Sequence, residues 1–194
     1  MKLTLDLACA SKSEWLDTVI NDFDAFLQDH ADCERKASSM AMSFVAKYPN
    51  RVEIIPLLID TAVEELEHFQ QVYALMEKRG VQLPHKIGSD PYVSALIKCC
   101  RTGRDERFLD RLLLASVVET RGAERFRLVA EALEDEELKA FYKQLWTSEA
   151  KHGHIFVKMA LEYFEKDLVY ERLAYFVERE AEVLDGLALR PALH

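Results

Sequence analysis

The chain has 194 residues, 49% apolar and 30% charged, with a formal net charge of −9. That balance suits one soluble globular domain with a sizeable core, and the acidity argues against a protein that coats nucleic acid non-specifically. No stretch approaches ~20 uninterrupted apolar residues, which excludes a membrane-spanning helix, and the scarcity of Gly, Pro and period-two alternation points to an all-α protein.

The opening MKLTLDLACA has one Lys, an early Asp and no long apolar segment, so no signal peptide is expected. A short helix is predicted from about Ser13, with Ser13 as its cap, to about Ile20. The first long helix covers about 22–47 and ends before Pro49. The second covers about 51–79 and stops at Gly80; Pro56 inside it demands a later start or a kink. After a loop through Val81 to Gly88, Ser89-Asp90-Pro91 starts a shorter helix to about Arg101. The third long helix spans about 105–132, the fourth about 135–165 and a last helix about 168–186, before a tail, LALRPALH, expected to fray. Helices of ~26 residues are about 40 Å long. Joined by short loops, they favour an antiparallel four-helix bundle with additional short helices, a single domain over residues 1–194.

Cys9, Cys33, Cys99 and Cys100 form no Cys-x-x-Cys pair, so neither a zinc ribbon nor a rubredoxin-type iron centre is encoded. Cys99 and Cys100 fall in an apolar helical stretch and read as buried free thiols of a cytoplasmic protein. The segment KCCRTGRDERFLDR carries Lys98, Arg101, Arg104, Arg107 and Arg111, which by themselves read as a solvated helix surface.

The chemistry lies in polar residues that keep phase with apolar ones. On the second long helix Leu58, Thr61, Glu65, His68, Val72 and Leu75 share one face by spacings of three and four; on the fourth, Tyr142, Leu145, Glu149, His152, Phe156 and Met159 do the same. The first helix places Glu34 in the stripe Phe23, Phe26, His30, Ala37, Ala41 and Phe44. The third places Glu119 among Leu109, Leu112, Ser116, Ala123, Phe126 and Ala130. From Glu34 to Glu65 is 65 − 34 = 31 residues and from Glu119 to Glu149 is 149 − 119 = 30, so two helix pairs repeat one design.

A lone Glu-x-x-His is weak evidence; two, each in apolar phase and each preceded by an in-phase Glu, are strong. Ionised carboxylates are very costly to bury alone, and four at one depth repel one another. Two ferrous ions balance four carboxylates while both imidazoles stay neutral. A Glu from each of two helices and a Glu-x-x-His from each of the other two is the ligand set of ferritin-like di-iron carboxylate proteins. The expected metal ligands are therefore Glu34, Glu65, His68, Glu119, Glu149 and His152. His30, one turn before Glu34 on the same face, reads first as a satisfied core histidine, with a partner that orients Glu34 as the alternative. Glu64, Glu67 and Glu124 fall off the stripes, His154 is expected to be exposed, and Met40, Met42 and the aromatics Phe23, Phe26, Phe44, Phe126 and Phe156 are expected in the core.

Around these ligands the chain resembles the bacterial tRNA 2-methylthio-isopentenyl-adenosine hydroxylases, from about Trp15 to about Val183. The likeness is closest in DHADCERKASSMAMSFVAKYP (29–49), EELEHFQQVYALMEKRGV (64–81), VVETRGAERFRLV (117–129) and FYKQLWTSEAKHGHIF (141–156). Cys-Glu-Arg-Lys-Ala and Glu-Arg-Phe separate it from ferritins. The resemblance implies a ferritin-like monooxygenase with two iron ions at those six ligands. O2 would be its co-substrate, and the isopentenyl side chain of the hypermodified adenosine next to the anticodon of tRNA its target. It also implies an external, ferredoxin-type electron donor, because no flavin or iron–sulfur motif is present. Lys98, Arg101, Arg104, Arg107, Arg111, Arg121, Arg125 and Arg127 are the expected phosphate-contacting residues. Two other classes stand beside this one: a ferritin- or rubrerythrin-like iron-oxidising or peroxide-reducing protein, and a non-catalytic helical interaction protein.

Overall fold

The computed structural model describes residues 6–85, 88 and 90–194, and among these every regular element is a helix. In chain order they are α1 (Ser13–Asn21), α2 (Phe23–Lys47), α3 (Ile55–Arg79), α4 (Pro91–Lys98), α5 (Arg104–Ala132), α6 (Glu136–Leu161) and α7 (Lys166–Gly186). The amino-terminal reading on residues 1–5 and Ser89 at the expected start of α4 lie outside the described residues, as do Lys86 and Ile87. No described helix is long and apolar enough to cross a membrane.

Local chemistry sets most boundaries. Asp22, Asp90 and Asp135 cap α2, α4 and α6, each carboxylate accepting from amides of the first turn. Ser13 does not cap α1; it is the first helical residue, and its hydroxyl donates to Glu14. Pro56 sits in the first turn of α3, where its missing N–H costs nothing, so the helix begins later and is not kinked. Gly80 ends α3 at φ 68°, a left-handed conformation that suits glycine. α4 stops three residues earlier than expected because the Arg101 amide donates to Asp110 Oδ2 at 2.7 Å and leaves the helical path. α6 closes at Leu161, where the amides of Tyr163 and Phe164 both turn back to the Ala160 carbonyl.

The chain forms two compact units, one holding the described residues up to Leu16 with 90–189 and His194, the other Asp17–Gly88 with Arg190–Leu193. In the second unit α2 and α3 pair antiparallel: the Arg79 guanidinium bonds Asp24 at one end, and Ser38 Oγ donates to the Ala62 carbonyl at 2.8 Å further along. In the first, α5 and α6 pair antiparallel through Ser116 with Gly153 and Phe126 with Tyr142, and α4 and α7 pack against α5.

Buried charge holds the first unit together. Arg121 is fully buried on α5, its Nε and Nη2 donating to Glu180 of α7 at 2.8 and 2.9 Å and its Nη2 to the Cys9 carbonyl at 2.8 Å. Burial works against its charge, but the bonds to Glu180 outweigh it and the Arg121 pKa is raised. Asp110, also fully buried, accepts from Arg101 and from Arg172 of α7.

One expectation changes here. The tail is packed, not frayed: Ala192 and Leu193 are buried, the Leu193 amide donates to Asp29 at 2.7 Å, and the His194 ring stacks on Tyr92 at 5.1 Å. The last helix forms where expected: α7 runs for 21 residues and supplies Glu180 and Arg172 to the buried ion pairs. Of the cysteines only Cys100 is buried, with burial pushing its thiol up to about 11, while Cys9 is exposed.

Candidate metal centre

Each unit carries one half of the expected ligand set. In the α2–α3 pair Glu34, Glu65 and His68 all lie on the faces their periodicity assigned, and one ligand atom of each falls within 4.8 Å of the others. His68 Nδ1 is 3.7 Å from both Glu34 Oε2 and Glu65 Oε2. In the α5–α6 pair Glu119, Glu149 and His152 likewise bring ligand atoms within 4.8 Å, with His152 Nδ1 3.3 Å from Glu149 Oε2. All six are buried, from 0% exposed for His152 to 9% for Glu119.

Packing beside each half fixes the ligand depth. Phe26, Ala41, Phe44, Leu58 and Val72 are buried in the first; Phe126, Tyr142, Leu145 and Phe156 in the second. Next to His152, Gly153 allows α5 to come close: a Cβ there would lie 2.6 Å from Thr120 Oγ1 and 3.3 Å from the Ser116 carbonyl oxygen. Ser116 Oγ donates to the Gly153 carbonyl at 2.6 Å and closes the same seam. Glycine is required by this approach, not by its backbone angles.

The donor set suits iron. Each half offers two carboxylates and one imidazole, hard and borderline ligands for a divalent transition ion. Two negative charges per half match one divalent cation, which makes their burial tolerable.

His30 is a satisfied core histidine and, as the alternative reading had it, the partner that satisfies it is Glu34. Its Nε2 lies 2.7 Å from Glu34 Oε1, and both side chains are buried. A carboxylate only accepts, so Nε2 carries the proton and donates. The spacing of four residues already offered Glu34 as the partner; the distance between the two side chains was not visible in the sequence.

The expected phosphate contacts separate. Lys98 and Arg104 are exposed and Arg107 and Arg111 half-buried, but Arg101 is bound to Asp110 and Arg127 to Glu131 at 3.0 Å. Arg121 and Arg125 cannot serve, because both are buried. Arg125 donates to Ser11 Oγ at 3.1 Å and lies 4.4 Å over the Trp15 ring, and burial lowers its pKa to about 10. Their phase on α5 was legible, but the elements that cover them lie 59 or more residues away. Glu124 is half-buried against Ser11 and Arg121, whereas Glu64 and Glu67 are exposed as expected. His154 is half-buried and Met42 is 46% exposed, outside the core.

An all-α chain with two antiparallel helix pairs, each burying one Glu and one Glu-x-x-His, belongs to the ferritin-like class of carboxylate–histidine metal proteins. The solved structure of Protein 43 from Synechococcus, described as having aldehyde deformylating oxygenase activity, is similar throughout. It is 33% identical, with a TM-score of 0.93, covering 98% of this chain and 96% of that one. More narrowly, the chain belongs to the tRNA-(MS2IO6A)-hydroxylase (MiaE) family, whose family model matches residues 2–194. It is similar to the tRNA 2-(methylsulfanyl)-N(6)-isopentenyladenosine(37) hydroxylase of Pseudomonas putida, 36% identical over 157 residues, which are 81% of this chain and 76% of that protein. The enzyme of the same name from Salmonella typhimurium is 33% identical over 132 residues, 68% of this chain and 48% of that protein.

Proposed function

We propose that this protein is a cytoplasmic, O2-dependent di-iron monooxygenase that hydroxylates the isopentenyl side chain of 2-methylthio-isopentenyl-adenosine in tRNA, next to the anticodon. The ligands assigned to the two iron ions are Glu34, Glu65 and His68 in one unit and Glu119, Glu149 and His152 in the other. The observation that carries the reading is the duplicated, buried Glu plus Glu-x-x-His set in a chain of this family. When bound, the iron pair supplies O2 activation, with two electrons delivered by an external, ferredoxin-type donor.

The chain's own part is to hold and to exclude. Glu34 keeps Oε1 on His30 and turns Oε2 towards His68. The buried aromatic and aliphatic neighbours on all four ligand helices keep water from the ligands. Exposed Lys98 and Arg104, with half-buried Arg107 and Arg111, remain as candidates for the RNA backbone and would position the substrate without reading its sequence.

Nucleoside analysis of tRNA from a deletion strain tests the substrate: the hydroxylated base should disappear and its unhydroxylated precursor accumulate. Normal levels of the hydroxylated base would exclude this substrate. The whole-length similarity to the Synechococcus protein favours an aldehyde as second reading. Turnover of aldehyde by the iron-loaded protein, with no action on tRNA, would select it.

A further inference from the structure

The two half-sites are not equivalent. One turn before Glu34, at 34 − 4 = 30, stands His30; one turn before Glu119, at 119 − 4 = 115, stands Ala115, whose side chain has no polar atom. Both positions are buried on the ligand face of their helices, so at this register α2 carries an imidazole and α5 an apolar side chain.

We propose that His30 is a positioning residue for Glu34, holding it as a one-oxygen metal ligand and making metal binding in the α2–α3 half depend on His30. The inference rests on the metal reading above. Its geometry is direct: Nε2–H donates to Oε1 at 2.7 Å, while Oε2 of the same carboxylate faces His68 Nδ1 at 3.7 Å. Oε1 is engaged and Oε2 is presented to the side where Glu65 also stands, 3.7 Å from the same imidazole nitrogen. The His30 ring is fully buried beside Phe26, with 6.0 Å between ring centroids, which restricts its rotation and hence the carboxylate it grips. Partners that orient a ligand in this way are worth about 10–100-fold in metal affinity.

Anaerobic equilibrium dialysis of the full chain against cobalt(II), with the visible ligand-field spectrum recorded at each step, tests this. The wild type and His30→Gln, whose amide nitrogen can reach Glu34, should bind two cobalt ions with matching spectra. His30→Leu and His30→Met, checked for unchanged helical circular dichroism, should weaken one ion about 10–100-fold and leave the other as in the wild type. If the apolar variants do not fold, His30→Asn serves instead, its amide falling short of Glu34. Wild-type affinity for both ions in the donor-lacking variants would overturn the inference, as would equal weakening of both. A wild type that binds fewer than two ions would instead sink the metal reading itself.

Discussion

The α2–α3 pair and the α5–α6 pair carry the same ligand pattern in different surroundings. Of the 29 residues of α5, 17 are buried, against seven of 25 in α3, because α4, α7 and the segment around Ser11 cover α5 while one side of α3 meets solvent. On that outer side Ile59, Val63, Leu66 and Tyr73 are between 38% and 55% exposed. The enclosed pair relies on buried ion pairs, Arg121 with Glu180 and Asp110 with Arg101 and Arg172. The open pair relies on a partner inside its own helix, His30 for Glu34, and on an exposed ion pair, Arg79 with Asp24. A repeated Glu and His pattern therefore fixes which residues share a buried face, not how each helix pair supports them.

The largest effect should be shared by both halves. Glu65→Ala or His68→Ala on one side, and Glu149→Ala on the other, should each lose at least one of the two iron ions while helical content largely survives, as read by metal analysis and circular dichroism. Any of these variants retaining two ions per chain would remove its residue from the ligand set.

Ion pairs should separate the two regions next. Arg121→Met strands a buried Glu180 and should cost about 3–5 kcal/mol, a fall in Tm of roughly 6–20 °C for a chain of this size. Arg79→Met breaks an exposed pair and should cost about 0–1 kcal/mol. The double replacement Arg121→Met with Glu180→Leu should recover much of the loss, since no charge is then left alone. Equal shifts for Arg121→Met and Arg79→Met would erase the contrast between the pairs.

Between those two falls Gly153→Ala, which forces a methyl against Thr120 Oγ1 and should cost about 1–3 kcal/mol. Adding Thr120→Ala should return part of it in a thermal melt. The smallest effect is acidic. Burial raises the Asp110 pKa, but hydrogen bonds from Arg172 and Arg101 outweigh it, and the net position lies below the usual carboxylate value. The unfolded chain then binds the proton more readily, so Asp110 stabilises the fold above about pH 4 and the contribution is lost as pH falls through its lowered folded pKa. The urea midpoint of Asp110→Asn should be lower than wild type near neutrality and should lose less on acidification.

Much of this was legible in the residues. The helices of the described residues, their order and the burial of Glu34, Glu65, His68, Glu119, Glu149 and His152 follow from spacings of three and four, because helical hydrogen bonds and same-face neighbours are local. Helix ends were less legible where a distant group intervened, as when Asp110 draws the Arg101 amide out of α4. The arginines of α5 show the same limit. Arg121 and Arg125 share the composition of a basic surface run, yet Glu180, Ser11 and Trp15 enclose them.

What the sequence by itself determined is the helical phase, and with it the buried line of Glu and His on each helix. Only the tertiary structure decided which charges are surrounded, that the tail packs, and that His30 grips Glu34. Periodicity states which way a side chain leaves its own helix, whereas burial and pairing depend on what other segments bring to that place.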